Sequence, residues 1–361
     1  VTTPDSEQQI SLADPLEQVG RVHARHRGRK LIYFGGCDYY RLASDARLKK
    51  IVARTLQKEG LNVAASRVTT GNHPIYEQLE AALRVFFKVE AALVTSTGYT
   101  ANLVIAQALA GEFSHVVIDE RAHASLKDAA QFLNCPILEY KHRDSAQAAQ
   151  AVARCGPFAR IALLTDGVFT HDGAIAPLPE LIRVLPPDGT LLLDDAHGAG
   201  VLGKNGRGTA EHFALRDKRI VRSITLSKAF GTFGGAVLSS RQICRRIVSH
   251  SRLFAGSTPP PLPLAKAAVY ALANVQGDDR LRAKLKRNTK LIGTEFPILT
   301  LGPKSRAQAM RLKRDLLKAN IFPSLIHYPG GPHTGYFRFA ISSEHTRAQI
   351  EHLLAVIQKY Q

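Results

Sequence analysis

The sequence predicts an α/β protein, with a large domain built on a mainly parallel sheet and a smaller α/β domain after it. Three observations predict this. From about residue 75, short apolar runs alternate with stretches of helical spacing, the pattern of strands joined by crossover helices. Several of the runs, TLLLDD above all, are continuously apolar, as strands buried on both faces are. The character changes after GSTPPPLP (256–263), and the 361 residues suffice for two domains.

Each element follows in order. AALVTS (91–96) reads as a strand, followed by a glycine turn and the helix TANLVIAQALA (100–110). SHVVID (114–119) is a strand, followed by the helix HASLKDAAQFL (123–133). PILEY, RIALLTD and GTLLLDD are further strands, with SAQAAQAVARC and PLPELIRVL as helices between them. RSITLS and GGAVLSS are two more strands, joined by the glycine-rich KAFGTF. Beyond residue 258 come a long helical region, FPILTL, RAQAMRLKRDLLKAN, FPSLIHY, YFRFAIS and a closing helix, TRAQIEHLLAVIQKY. The domain boundaries so read are 45–257 for the large domain and 258–361 for the small one, with 1–44 packing on the small domain or along a dimer interface.

Composition narrows the class. Hydrophobic residues make up 45% and charged residues 22%, the balance of a soluble globular protein. The N-terminal VTTPDSEQQI is polar and acidic, without the basic start and apolar run of a signal peptide. No stretch approaches the ~20 apolar residues that span a bilayer. The expectation is a cytoplasmic protein with no membrane association. Cys37, Cys135, Cys155 and Cys244 are widely spaced, so free thiols are expected, with neither a disulfide framework nor a metal site. The net charge of +18 is spread over RVHARHRGRK, DDRLRAKLKRNTK and RLKRDLLK, none with interleaved aromatics. Nucleic acid is therefore not the expected partner. The charge is a solvated surface or an attraction for a phosphate-rich acyl carrier.

In open parallel sheets, ligands bind beyond the carboxyl ends of the strands. Lys228 follows RSITLS and precedes AFGTFGG, where an amine can reach a carbonyl, form a Schiff base and swing away. Taken alone, a solvated lysine is the plainer reading. TLLLDDAHGAGVLG ends a buried-type strand in Asp194, with His197 shortly after. A carboxylate there can keep a heteroaromatic ring nitrogen protonated, making the ring an electron sink; a helix cap or a metal ligand is the alternative. Gly98 in STGYTANL opens a helix, and its free amides suit a phosphate. His123 follows SHVVID, where an imidazole can stack on a flat ring or serve only the structure. The combination, in that chain order at the strand ends of one sheet, is what a binding site needs.

On these residues, and on SRVTTGNHPIYEQLE, DERAHAS, TDGVFTHDGAIAPLPEL, DDAHGAGVLGKNGRG, TLSKAFGTFGG, GSTPPP and RFAISSEHT, the chain resembles the α-oxoamine synthases, which are fold-type I pyridoxal-phosphate transferases. The resemblance runs from about residue 31 to 358. It implies a large domain with a mainly parallel seven-stranded sheet, a homodimer with shared active sites, and pyridoxal 5'-phosphate as cofactor. It further implies that Lys228 forms the imine with the cofactor, that Asp194 partners the ring nitrogen and that His197 meets the phenolic oxygen. His123 is then the stacking histidine, Gly98 and Tyr99 form the phosphate cup, and Thr225 is a further phosphate contact. Thr170 stands close to the cofactor in place of a serine. Ser257 and Thr258 resemble the pair that reaches the neighbouring subunit's phosphate. Arg338 matches the arginine that takes the amino-acid carboxylate, a task its planar fork suits.

The implied reaction condenses an amino acid with an acyl thioester, carried on CoA or on an acyl-carrier protein, with loss of carbon dioxide. Lys228 moves the α-proton, and His197 or His123 polarises the thioester carbonyl. SRVTTGNHPIYEQLE is closest in style to the 8-amino-7-oxononanoate synthase branch, which implies L-alanine and a pimeloyl thioester in biotin synthesis. Members using glycine or serine, or a fold-type I aminotransferase-like enzyme, are the alternatives. The chain departs from the family at Cys37 in GGCDYYRL, where asparagine is usual, at NVAASR, and at Tyr76 and Tyr336. These changes leave the cofactor residues intact and bear on the two substrates, with Cys37 beside the amino-acid carboxylate.

Overall fold

The computed structural model describes residues 12–327 and 332–360. The polar run at 1–10 and the last residue of FPSLIHY (322–328) lie outside them. The described chain forms two units, one from Val1–Gly36 with Lys284–Gln361 and the other from Cys37–Ala283.

The N-terminal part of the first unit is an antiparallel meander of β1 (Glu17–Val19), β2 (His23–His26) and β3 (Arg29–Ile32). Sequence periodicity missed it because its strands are short, basic and half exposed.

The second unit opens with α1 (Ala46–Glu59) and α2 (Pro74–Phe87). Its seven strands are the seven read from the sequence: β4 (Ala91–Thr95), β5 (His115–Asp119), β6 (Ile137–Tyr140), β7 (Ile161–Asp166), β8 (Thr190–Asp194), β9 (Ile220–Thr225) and β10 (Gly235–Ser239). They form one sheet in the order β4-β10-β9-β8-β7-β5-β6. Only β10 runs antiparallel to its neighbours. The crossovers are α3 (Gly98–Ala108), α4 (Ala124–Phe132), α5 (Ser145–Arg154), α6 (Leu178–Val184) and the short α7 (Thr209–His212). After the sheet come α8 (Arg241–His250), α9 (Arg252–Gly256) and α10 (Leu262–Gly277).

Alternation along the central strands feeds two cores. Leu164 of β7 and Leu192 of β8 pack with Val104, Ile105, Leu126 and Ala129 on one face. Leu163, Leu191 and Leu193 pack with Ala148, Leu178 and Leu181 on the other. Both faces being covered, the strands read as unbroken apolar runs, and their polar residues are pushed to the ends. The registers Asp166↔Asp194 and Asp194↔Ser223 align the carboxyl ends of β7, β8 and β9.

The chain continues through α11 (Asp279–Leu291) to β11 (Ile298–Leu301), α12 (Arg306–Lys318), β12 (Leu325–Ile326), β13 (Tyr336–Ala340) and α13 (Arg347–Ile357). Sheet β11-β13-β12 packs on a core of Phe34, Leu312, Leu316, Phe337, Phe339, Ile350 and Leu353. The divisions fall after residues 36 and 283, where the sequence reading set them after 44 and 257. Two physical ties account for this. Phe34 O accepts from Ala340 N at 2.6 Å, holding the first segment to the C-terminal strands. In the other unit, α10 packs along α1 and α2, with Leu262 N donating to Leu61 O at 3.1 Å, so the chain leaves that unit only after α10.

Candidate active site

The carboxyl ends of the sheet's strands carry a connected set of polar groups. At the end of β4 the chain turns into α3, whose cap is a reciprocal box between Thr97 and Thr100. Gly98 is the first helical residue. A β-carbon there would stand 2.7 Å from Thr225 Cβ, so glycine is what lets this helix start approach the end of β9. Thr225 Oγ1 donates to Gly234 O at 3.2 Å and accepts from Ser227 N at 3.2 Å. Gly98 and Thr225 are thus brought together. Tyr99, next on the helix, hydrogen-bonds Asp128 of α4 through its hydroxyl and meets His123 edge-on, with ring centroids 6.0 Å apart.

His123 caps α4. Its Nδ1 lies 3.2 Å from Ser125 N and 2.8 Å from Ser125 Oγ, and its own amide donates to Asp166 Oδ2 at 2.8 Å. Burial lowers the His123 pKa, and the Lys228 charge adds to the fall; Asp194 and Asp128 oppose it. Asp166 ends β7 and is buried. Burial first, then the neighbouring Asp194, raise its pKa well above the usual carboxylate range, although Lys228 pulls the other way. The Lys228 ammonium is therefore close enough to act on both His123 and Asp166.

Asp194 ends β8 and is 6% exposed. Its Oδ2 accepts from Asn102 Nδ2 at 2.7 Å and from Ser125 Oγ at 3.4 Å, and its Oδ1 accepts from Ala196 N at 3.0 Å. Ser223 Oγ donates to Asn102 Oδ1 at 2.6 Å, so β9 and α3 orient the same carboxylate. The next residue, Asp195, faces the other way. It accepts from Thr209 Oγ1 at 2.7 Å and from Thr209 N, and pairs with the buried Arg222 at 3.4 Å. Burial lifts its pKa to about 6 against the pull of Arg222. His197 is buried, with Nδ1 2.7 Å from Tyr39 Oη.

Thr170 lies in a turn after β7, within the Val168–Ile175 bridge, where Phe169 N donates to Ala174 O at 2.9 Å. The turn is anchored by His142, which sits between Asp119 Oδ1 at 3.0 Å and Asp172 Oδ2 at 3.6 Å and stands edge-on to Phe169. Burial lowers the His142 pKa, but the two carboxylates overcome it and hold it at about 9. Ser257 and Thr258 lie near the end of β4, with Ser96 Oγ donating to Thr258 O at 2.6 Å. Cys37 begins the turn that carries Tyr39, its carbonyl accepting from Tyr39 N at 3.0 Å. Arg338 belongs to the other unit, half-buried on β13 opposite Thr300.

The structure thus gathers Gly98, Tyr99, His123, Asp194, Thr225 and Lys228 at one end of one sheet. Sequence reasoning missed Asn102, Ser125, Asp166 and Tyr39. Asp166 carried a signal, since IALLTD ends in a carboxylate as LLLDD does. The others had none, because each acts on a partner in a different element. Among the described residues no cluster of histidine, cysteine and carboxylates could hold a metal ion, and no helix is long and apolar enough to cross a membrane.

Residues 29–357 match the family model of the class I and II aminotransferases. The chain is 35% identical over 347 residues to an 8-amino-7-oxononanoate synthase of Thioalkalivibrio sulfidiphilus, covering 92% of this chain and 88% of that one. It is 33% identical to the synthase of the same name from Symbiobacterium thermophilum, covering 97% and 94%. Among solved structures it is similar to a serine palmitoyltransferase from S. paucimobilis with bound PLP–myriocin (TM-score 0.90, 28% identity, 96% of this chain and 92% of that one). It is also similar to an 8-amino-7-oxononanoate synthase from Francisella tularensis (TM-score 0.79, 28% identity, 91% and 97%).

Proposed function

The chain belongs to the class I and II aminotransferase family, and from that premise we propose that it condenses L-alanine with a pimeloyl thioester, releasing carbon dioxide and the free thiol and forming 8-amino-7-oxononanoate. It is a pyridoxal-phosphate-dependent acyltransferase of the α-oxoamine synthase type. The finer reading adds the two substrates, the residue roles and a homodimer in which Ser257 and Thr258 serve the neighbouring site.

The observation that carries the site reading is the convergence of His123, Asp194 and the Lys228 charge where β5, β8 and β9 end in the one sheet. The donor set fits the cofactor. The helix start at Gly98, closed to any side chain by Thr225, leaves amides for a phosphate. Asp194, oriented by three donors, suits the ring nitrogen, and His197 the phenolic oxygen. His123, its pKa lowered by burial, is a neutral flat ring suited to stacking. When bound, pyridoxal phosphate supplies an electron sink for negative charge at the substrate α-carbon.

The protein's own groups do the rest. Lys228 would hold the cofactor through its amine, and the same amine would take and return the substrate α-proton. Thr170 lines the cofactor from its turn. Arg338 takes the substrate carboxylate, with Cys37 on the same substrate. His197 or His123 donates a hydrogen bond to the thioester oxygen as negative charge develops there.

The test is thiol release from pimeloyl-CoA and pimeloyl-carrier thioesters, with alanine, glycine and serine supplied separately. Release that needs alanine and disappears in Lys228→Ala is expected, together with loss of the visible absorbance of the lysine-held cofactor. Release driven by serine or glycine alone would move the chain to another branch of the family. Accumulation of the amine form of the cofactor without thiol release would replace condensation by amino transfer.

A further inference from the structure

We propose that Tyr39 is a positioning residue that fixes the tautomer of His197, making its Nε2–H the group presented to the cofactor. The inference rests on the reading above that His197 contacts the cofactor. Tyr39 Oη and His197 Nδ1 are 2.7 Å apart in a buried contact, with Tyr39 1% and His197 4% exposed. The rings meet edge-on at 65°, with centroids 6.2 Å apart, so the contact between them is the hydroxyl–Nδ1 hydrogen bond rather than stacking.

The chemistry of the pair selects one of its two arrangements. A phenol is the better acid and an imidazole nitrogen the better base, with ordinary pKa values of about 10 and about 6.5. The favoured neutral bond is therefore phenol O–H donating to Nδ1. An imidazole that accepts at Nδ1 carries its proton on Nε2. The other tautomer would turn an Nε2 lone pair toward an oxygen that bears negative charge.

Both residues are held by their own backbones. Asp38 accepts from Leu42 N at 2.9 Å and from Ala43 N at 3.0 Å, closing the turn that carries Tyr39. On the other side, Asp195 N donates to Ser223 O at 2.9 Å and Ala199 N to Asp195 O at 2.8 Å, fixing the segment on either side of His197. Tyr39 then supplies what the backbone cannot, the rotation and protonation of the ring.

The test uses the cofactor-loaded full-length protein labelled with 15N-histidine. Long-range 1H–15N spectra distinguish the two tautomers, and His197→Asn identifies the His197 signal. The wild type is expected to show the Nε2–H form, and Tyr39→Phe to show a mixture or the Nδ1–H form. Cofactor affinity should fall about three- to tenfold in Tyr39→Phe, the scale of one hydrogen bond. An Nδ1–H wild type, or an unchanged tautomer in Tyr39→Phe, would overturn the proposal. The wild-type spectrum decides this even where the variant fails to fold. Unchanged cofactor affinity in His197→Asn would sink the His197 contact, and this proposal with it, while leaving the Lys228 assignment standing.

Discussion

Replacing His142 by glutamine keeps a polar side chain of similar size between Asp119 and Asp172 but removes the proton that imidazole can hold. Burial works against that proton, and the hydrogen bond to Asp119 with the nearby charge of Asp172 more than compensates, lifting the pKa from 6.5 to about 9. A group whose pKa rises on folding stabilises the fold below its unfolded value and loses that contribution as pH climbs through the folded one. His142 therefore contributes fully below about pH 6.5 and nothing well above 9. At 1.36 kcal/mol per pH unit the ceiling is about 3.4 kcal/mol. The ring and Asp172 are partly solvated, so screening reduces this to about 1.5–2 kcal/mol. For a domain of this size that is about 3–8 °C in Tm. Asp172 bounds the window at the acid end. Burial raises its pKa, but the His142 ion pair and the Ala174 amide bring it to about 2, so its contribution is present above 3.8 and fades as pH falls through 2. The assay is thermal or urea unfolding of wild type and His142→Gln from pH 5 to pH 10. The gap between them should be widest near pH 6 and close above pH 9. A gap that stays constant across that range would refute the reasoning, because the proton would then not be the stabilising element.

Arg222→Leu strips the cation from Asp195, which is fully buried, and also removes the guanidinium 4.9 Å over Phe87. A loss of about 3–5 kcal/mol in urea unfolding is expected, much of it recovered when Asp195→Leu is added. Asp166→Asn should change stability by less than about 1 kcal/mol, since burial and Asp194 both disfavour the charged carboxylate there and an amide oxygen can still accept from His123 N. Asp194→Asn should instead weaken cofactor binding, measured by titrating the apoprotein with pyridoxal phosphate and following the visible absorbance of the bound cofactor.

The residues legible in the sequence share a property. Gly98, His123, Asp194 and Lys228 each interrupt or immediately follow an apolar run, so a strand-end position can be read from local pattern alone. The sheet itself was legible for the same reason, its seven strands being buried on both faces. What pattern cannot give is the strand order. Asn102 reaches Asp194 from α3 only because β10 and β9 lie between β4 and β8. Ser125 reaches the same carboxylate from α4, and Tyr39 meets His197 across 158 positions of chain. The short half-exposed strands at 17–32 escaped for the opposite reason, having no apolar run to mark them.

Three carboxylates sit buried where β7 and β8 end, and each is made tolerable in a different way. Asp166 has its pKa pushed up by burial and accepts from the His123 amide, Asp194 is surrounded by three donors, and Asp195 is paired with Arg222. An apolar replacement would serve stability better, since a buried ion pair rarely outdoes well-packed hydrocarbon. The arrangement makes sense as positioning. Asp195 holds the segment after His197, where a β-carbon on Gly208 would stand 2.0 Å from its Oδ2, where Thr209 donates to it and where its partner Arg222 also donates to the Arg207 carbonyl. Asp166 holds the amide of His123, and Asn102 with Ser125 holds Asp194. His123 and Asp194, two of the groups proposed to face the cofactor, are thus each fixed by buried polar partners. Substitutions at those partners should therefore alter cofactor spectra and affinity before they alter the fold, the reverse of what replacing Arg222 does.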